Sequence, residues 1–578
     1  MGAALYTVRQ RRASGAGLRA AVLAVVAAGL LLPIGAGLWQ TGRAAFGILP
    51  AIGATGFGLD AWAGFFDLAG VRTAIWLSLS TGLAATVLSL ALAVGVCAAV
   101  QGRLSRAAGA HLLTPFLAAP HAAVAIGLAF VLSPSGWIAR VLSVPAAWDR
   151  PPDLASVNDP WGIALTLGLM VKETPFLLLV ILSALTQIPV RVHMAAGRSL
   201  GYGRGLVWLK VIMPQVWPLI RLPVLVVAAY SISVVDMAMI LGPSNPPTLA
   251  VLLTRLFSDP DLGRILPGSA GGVFQLLLVG LAFALLWLAE RLLSALGLIW
   301  LRRGGRGTSS EPLLKLATVA TAILLLSGIL ALLAIAIWSL AWRWPWPTIL
   351  PESWSLKAWS EPQGGWGAAA RRTLTIALLS TALCLALAVA WLEGEDRAHM
   401  PRARWAEALI YLPLLVPQVS FLFGMNILII HLGQAGGLGA VVWAHCLFVF
   451  PYVMIALSDP WRALDPRLER TAAALGAGPW RRLFRVKLPV LLAPLCTAAA
   501  IGIAVSVAQY LPTLFMGAGR VATLTTEAVT LSSSSDRRVA GVYASLQAAI
   551  PFLAYLVAFL IPALLHRNRR DLQGEAGV

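Results

Sequence analysis

Along this chain apolar residues run together over stretches long enough to cross a bilayer, and polar residues gather in the short intervals between them. A crossing helix needs roughly 20 apolar residues. That criterion predicts six spans near 18–39, 73–100, 112–133, 161–188, 221–243 and 271–300, and six more near 316–342, 372–392, 406–432, 439–458, 493–516 and 541–565. Several runs exceed what the hydrocarbon core requires, which predicts tilt or interfacial extension. The run from Leu18 to Trp39 follows Arg9, Arg11 and Arg12 and is too long for the apolar core of a signal peptide, so it reads as an uncleaved first span. The expected fold is all-α and polytopic, with about twelve transmembrane helices.

The two sets of six meet at RRGGRGTSSEPLLK (302–315), a basic, Gly/Ser-rich segment that reads as a cytoplasmic linker between a first repeat, 1–301, and a second, 316–578. An even number of spans in each gives both the same orientation, as parallel repeats about an axis along the membrane normal. RTAIWLSLSTGLA from Arg72 is echoed by RTLTIALLSTALC from Arg372. Pro120 and Pro417 punctuate the third span of each set, and Pro175 and Pro451 the fourth.

The strongest echo is polar. AAGRSLGYGRGLVWLKVIMP (195–214) returns 275 residues later as RTAAALGAGPWRRLFRVKLP (470–489), each copy between the fourth and fifth spans of its set. In both, a glycine (Gly201, Gly476) precedes a proline (Pro214, Pro489) by thirteen positions. Small residues, among them Ala195, Ala196 and Ala472, let a short helix approach another surface closely, and the glycines permit the positive φ of a tight turn. An amphipathic segment follows, with Trp208 and Leu209, or Trp480 and Phe484, as apolar anchors. Pro214 and Pro489 are expected to break it ahead of the next span. Apolar knobs beside Arg and Lys on short helices fit a groove in a soluble partner. One copy would equally suit a basic helix lying on anionic lipid; two copies at identical spacing favour the partner.

Composition excludes a water-soluble fold: 59% of residues are hydrophobic, 12% are charged and the mean hydropathy is +0.83. The formal net charge of +19 would suit nucleic acid, but no reader motif is present. The basic residues instead follow topology. With a cytoplasmic N-terminus, about 29 of the 43 Lys and Arg lie on the cytoplasmic side, about 13 outside and one within a span. The same orientation places the C-terminal end, with Arg567, Arg569 and Arg570, in the cytoplasm. The Trp-rich WRWPWP (342–347) reads as an interfacial belt. The four cysteines form no CxxC pair and the seven histidines show no ligand spacing, so neither a disulfide framework nor a metal site is indicated. No GxxxxGK[ST] occurs, so the chain does not itself cradle nucleotide phosphates, and no cofactor is expected.

A few charges fall inside spans. Lys172 lies about eleven residues into the fourth, roughly 16 Å deep, with Glu173 beside it, and Asp236 lies about two-thirds across the fifth. Such groups are costly in lipid and face a bundle interior or an aqueous path. Two readings stay open: a structural ion pair of Lys172 with Asp236, or a lining of the substrate pathway. The counterparts in the second set are uncharged, Phe448 and Val449 for Lys172 and Glu173 and Gln509 for Asp236, so a charged lining would be asymmetric. Glu290 and Arg291 fall at a helix end and read as solvated.

The repeated segments resemble the EAA loop of permease subunits of ATP-binding-cassette importers, whose pattern is Glu-Ala-Ala followed by a glycine and, at the spacing seen here, a proline. The chain looks like a fused permease in which two half-transporter permeases form one polypeptide, similar to those of bacterial thiamine and ferric-ion importers. DMAMILGPSNPPTLAV (236–251) is nearest a thiamine-type branch. The pattern departs at the family glutamate, which is Ala195 in the first copy and Arg470 in the second, with Glu469 one place early. The resemblance implies a type I importer permease of the bacterial inner membrane with no enzymatic activity of its own. An ATPase dimer would dock under the two loops, and an extracytoplasmic binding protein would deliver thiamine or a related small molecule, with ferric ion as the alternative. Closure of the ATPases would draw the loops together and switch the cavity between inward- and outward-facing states. A secondary transporter shares the topology but would need no matched loops, and QGRLSRAAG is a poor match to such a transporter's own loop between its second and third spans. A membrane enzyme would want acidic or histidine clusters at one interface.

Overall fold

The computed structural model describes residues 17–100, 113, 116–305, 311–360, 365–398, 409–534 and 536–566; the basic residues of both termini, QGRLSRAAG and the middle of the linker lie outside these. Among the described residues ten helices are long and apolar enough to cross a membrane: Gly17–Ala45, Val71–Val100, His121–Ala146, Ile163–Leu185, Arg204–Ser233, Leu262–Arg302, Glu311–Leu340, Trp366–Ala398, Leu438–Arg462 and Arg537–Leu565. A bent pair, Pro479–Val490 and Leu492–Ala508 at 77°, makes an eleventh when taken as one span. The shorter Gln418–His431 stands where the ninth span is expected. Apart from a hairpin that pairs Ala341–Arg343 with Ser353–Trp354, the fold is all-α and polytopic. The sixth span runs on to Arg302, so Glu290 and Arg291 lie well inside it rather than at its end, and Glu290 meets Arg221 of the fifth span at 3.8 Å.

Four spans are interrupted where the hydropathy pattern runs on. In the third, Pro120 caps His121–Leu132, and a turn at Ser133 separates this helix from Trp137–Ala146. In the ninth, Leu412–Leu415 ends at Val416, whose ψ of 127° is the extended geometry a following proline imposes, and Pro417 caps the next helix. The fifth, Met213–Ser233, gives way at Val234 (ψ 138°) to Asp236–Leu241. The eleventh gives way at Gln509 (ψ 115°) to Leu511–Gly517. These matching breaks align Val234 with Gln509 and Asp236 with Leu511, so Gln509 stands two residues short of the position opposite Asp236. Beyond each break lies a short half-helix, Leu249–Phe257 or Leu524–Ser532. Its first N–H donates to a hydroxyl of the second or eighth span, Leu249 to Ser78 at 2.8 Å and Leu524 to Thr373 at 2.9 Å.

The halves are interleaved. The first span packs on the ninth and the seventh on the third, so the leading helix of each set crosses onto the other. Both crossings bring backbones together: a Cβ at Gly424 would collide with the carbonyl of Gly37, and one at Gly127 with that of Ala331. Lipid offers no hydrophobic drive between helices, so close small-residue contacts of this kind hold them. Leucines such as Leu293 and Leu296 of the sixth span stay exposed, as a lipid-facing surface requires.

Candidate functional site

The two repeated segments fold alike, turn for turn. Val190–Ser199 and Pro466–Ala474 are short helices that end at Leu200 and Leu475. Gly201 and Gly476 follow, both at φ +80°, the left-handed conformation that closes a helix end. The next N–H reaches back to the last turn, Tyr202 to the carbonyl of Gly197 at 3.1 Å and Ala477 to that of Ala472 at 3.0 Å. Gly203 and Gly478 then start second helices, which widen into π turns at Trp208–Ile212 and Leu483–Lys487.

The π turns change what the prolines do. Pro214 does not break its helix: Arg204–Ser233 runs unbroken from loop to span. The wider turn ends just before the proline, where the extra residue loosens the i→i−4 ladder that its ring would otherwise disrupt. In the second copy the bend comes after Pro489, at Leu491, three residues before Pro494, which can neither donate to the carbonyl of Val490 nor lie against it.

Of the anchors predicted from sequence, Leu209, Trp480 and Phe484 are exposed, whereas Trp208 is 1% exposed and packs with Met194, Val207 and Ile212 against the second and fourth spans. The most prominent apolar groups are Leu200 (63% exposed) and Leu475 (83%), one residue before each turn glycine. Leu209 and Phe484 take corresponding places farther on. Each loop thus presents two apolar knobs in register, flanked by Arg198 or Arg481. Ala195 and Ala196 are exposed and Ala472 is half-buried, so the small residues leave the leucines proud. Leu200 and Leu475 could have been found by stacking the two copies, since both carry leucine at the end of a polar helix with nothing local to cover it.

The loops are anchored by opposite chemistry. Lys487, 1% exposed, donates to Glu393 at 2.8 Å and Asp396 at 2.6 Å, both at the C-terminal end of the eighth span, and lies 3.3 Å from Glu469. Glu469 also meets Arg482 at 3.1 Å, Arg397 meets Glu393 at 2.7 Å, and the Arg397 guanidinium lies 4.4 Å over the Trp480 ring. The early glutamate therefore points into its own loop. In the first copy the corresponding residues are apolar: Ala93, Cys97, Met194, Val207 and Ile212 lie together in one buried cluster. That loop's ionic tie runs elsewhere, in a two-pronged pair of Arg204 with Glu311 of the seventh span at 2.7 and 2.6 Å.

The charges inside the bundle do not form the ion pair weighed from sequence. Lys172 donates to the carbonyls of Phe116 and Ala119, both at 2.5 Å, groups orphaned where Pro120 interrupts the third span. Glu173 lies 3.7 Å from His121, whose ring contacts Tyr230 at 4.8 Å. Asp236 starts its short helix without an ion pair among the described residues, within electrostatic range of His121, Lys172 and Tyr510. Gln509 turns to the carbonyl of His445 at 3.2 Å. Lys172→Met is expected to strand the two carbonyls and to lower stability by about 1–3 kcal/mol, seen as a lower unfolding temperature of the solubilised chain. An unchanged temperature would remove the capping role.

Comparison with known proteins follows the same lines. Residues 383–570 match the family described as binding-protein-dependent transport system inner membrane component. The inner membrane ABC transporter permease protein YnjC of Escherichia coli is 32% identical over 461 residues, covering 79% of this chain and 81% of YnjC. PhnV of Salmonella typhimurium, named for 2-aminoethylphosphonate transport, is 28% identical over 33% of this chain and 72% of its own length. The molybdenum transport system permease protein ModB of Azotobacter vinelandii is 30% identical over 26% of this chain and 72% of ModB. Such proteins carry out transport rather than catalysis, and their partners are an ATPase and a substrate-binding protein. With its apolar helices, its interleaved halves and a likeness to YnjC over most of both chains, this protein belongs to the multi-pass inner-membrane permeases of ABC importers.

Proposed function

We propose that this chain is a fused permease: two repeats, 1–301 and 316–578, joined through 302–315, with both termini and both repeated loops in the cytoplasm. The loops are EAA-type coupling elements that dock an ATPase dimer, one subunit each. The observation that carries this reading is the pair of matched knobs, Leu200 with Leu209 and Leu475 with Phe484, on loops that close with the same glycine turn. Two equal surfaces suit a partner with two equal grooves. The extracytoplasmic binding protein meets the opposite face.

The proposed cargo is thiamine or a related small organic molecule, with ferric ion as the alternative. Support comes from chemistry at mid-depth. Glu173 and Asp236 are buried within electrostatic range of Tyr230, Tyr452 and Tyr510, three of the eight tyrosines in the chain. Carboxylates among aromatic faces favour an organic cation. The test is uptake into proteoliposomes holding the chain with its ATPase and binding protein. Uptake is expected to need ATP and to be competed by thiamine. Uptake driven by an ion gradient alone overturns the importer reading, and competition by ferric ion but not thiamine replaces the cargo.

A further inference from the structure

On the face opposite the repeated loops, the end of the seventh span, the hairpin after it and the start of the twelfth enclose a recess of about 470 Å³. Trp338, Trp342 and Trp344 line it together with Arg537, Arg538 and Asp536. The charges do not balance. Asp536 is engaged by Arg538, whose Nε and Nη2 both reach it at 3.1 Å. Arg537 has no carboxylate within ion-pairing distance among the described residues; its guanidinium lies 5.2 Å from the Trp338 ring and 5.8 Å from that of Phe130. Behind it stands Arg140, 3% exposed, which donates only to carbonyls, those of Ser135, Trp344, Pro345 and Thr348. Arg140, beside the recess rather than in its lining, is within electrostatic range of Arg537, and neither has a carboxylate at ion-pairing distance among the described residues.

We infer that this recess is an oxoanion site that takes a phosphate group, with Arg537 as its donor and Arg140 supplying a fixed positive field. A guanidinium offers paired N–H groups matched to two oxygens of a phosphate, and an anion there gives Arg537 the counter-charge it lacks among the described residues. The surrounding tryptophans are of the kind that sits at headgroup depth. The phosphate therefore has two possible sources, a phospholipid headgroup or a soluble phosphate. The inference does not depend on the cargo proposed above.

The experiment uses the full chain in maltoside detergent stripped of phospholipid. One arm measures binding of radiolabelled inorganic phosphate, and the other measures retention of phosphatidylglycerol against a phosphate-free glycolipid by native mass spectrometry. Saturable binding in either arm is expected, weakened roughly tenfold or more by Arg537→Gln. Arg343→Gln, on the exposed hairpin and paired with Glu352, serves as the control and should bind as the parent does. Should Arg537→Gln not fold, Arg537→Lys keeps the charge and loses the fork, and is expected to bind several-fold more weakly. Absence of saturable binding in both arms, equal binding by the Arg537 variants, or capture of an acidic peptide in place of both phosphates overturns the inference.

Discussion

Replacing Lys487 with isoleucine, the residue at the corresponding place in the first loop, is expected to destabilise the chain by about 3 kcal/mol, because it takes the buried cation from Glu393, 2% exposed, and leaves that carboxylate with Arg397 alone. Asp396 and Glu469 retain some water, which keeps the loss from being larger. The first half shows how the same site is built without charge. Converting the network to its counterparts, Glu393→Ala, Asp396→Val, Arg397→Cys, Glu469→Met, Arg482→Val and Lys487→Ile together, is expected to recover most of the loss, since a buried ionic cluster and a packed apolar one are often close in free energy. Thermal unfolding of the solubilised chain measures both variants. A single variant as stable as the parent, or a combined variant worse than the single one, contradicts the account.

The second large effect concerns transport rather than stability. Leu200→Asp combined with Leu475→Asp is expected to lower ATP-driven uptake at least about tenfold, the loss that follows when apolar anchors at the centre of a contact are replaced by charge. Both side chains are exposed, so membrane insertion and unfolding temperature should stay as in the parent. Each single variant should also impair uptake, because each loop carries its own contact. Normal uptake by the double variant would place the docking surface elsewhere on the chain.

Much of this architecture is legible in the sequence because bilayer crossing leaves a strong hydropathy signal and because one polar segment occurs twice. The prolines at 120 and 417 mark real interruptions, and Gly201 and Gly476 take the positive φ that their turn needs. What stayed hidden depends on contacts between distant segments. Lys487 lies 94 residues from Glu393, and WLEGEDR reads as the solvated end of a span until the tenth and eleventh spans close over it. Trp208 looks like a docking knob beside Lys210, yet its stretch, Gly205 to Trp208, is the face laid against the second and fourth spans. Gln509 stands opposite Asp236 only if the offset of 275 residues that relates the two loops changes within the next span; the breaks at Val234 and Gln509 keep that offset and oppose Leu511 to Asp236. Lys172 illustrates a further limit: its partners are main-chain oxygens, which no side-chain pattern announces.

Each loop enters the membrane through a π turn, and a π turn stores one surplus residue. If such a turn tightens to α, everything on one side of it slips by a single position, about 1.5 Å along the axis and 100° around it. A tug on a loop can therefore be absorbed as a change of pitch, like slack drawn from a coil, before its span travels at all. The two coils are geared differently. The first leads into Met213–Ser233, 21 residues without a break, while the second leads into an arm that bends by 77° at Leu491. If the proposed coupling holds, equal tugs from a symmetric ATPase pair would produce unequal strokes at the bilayer centre.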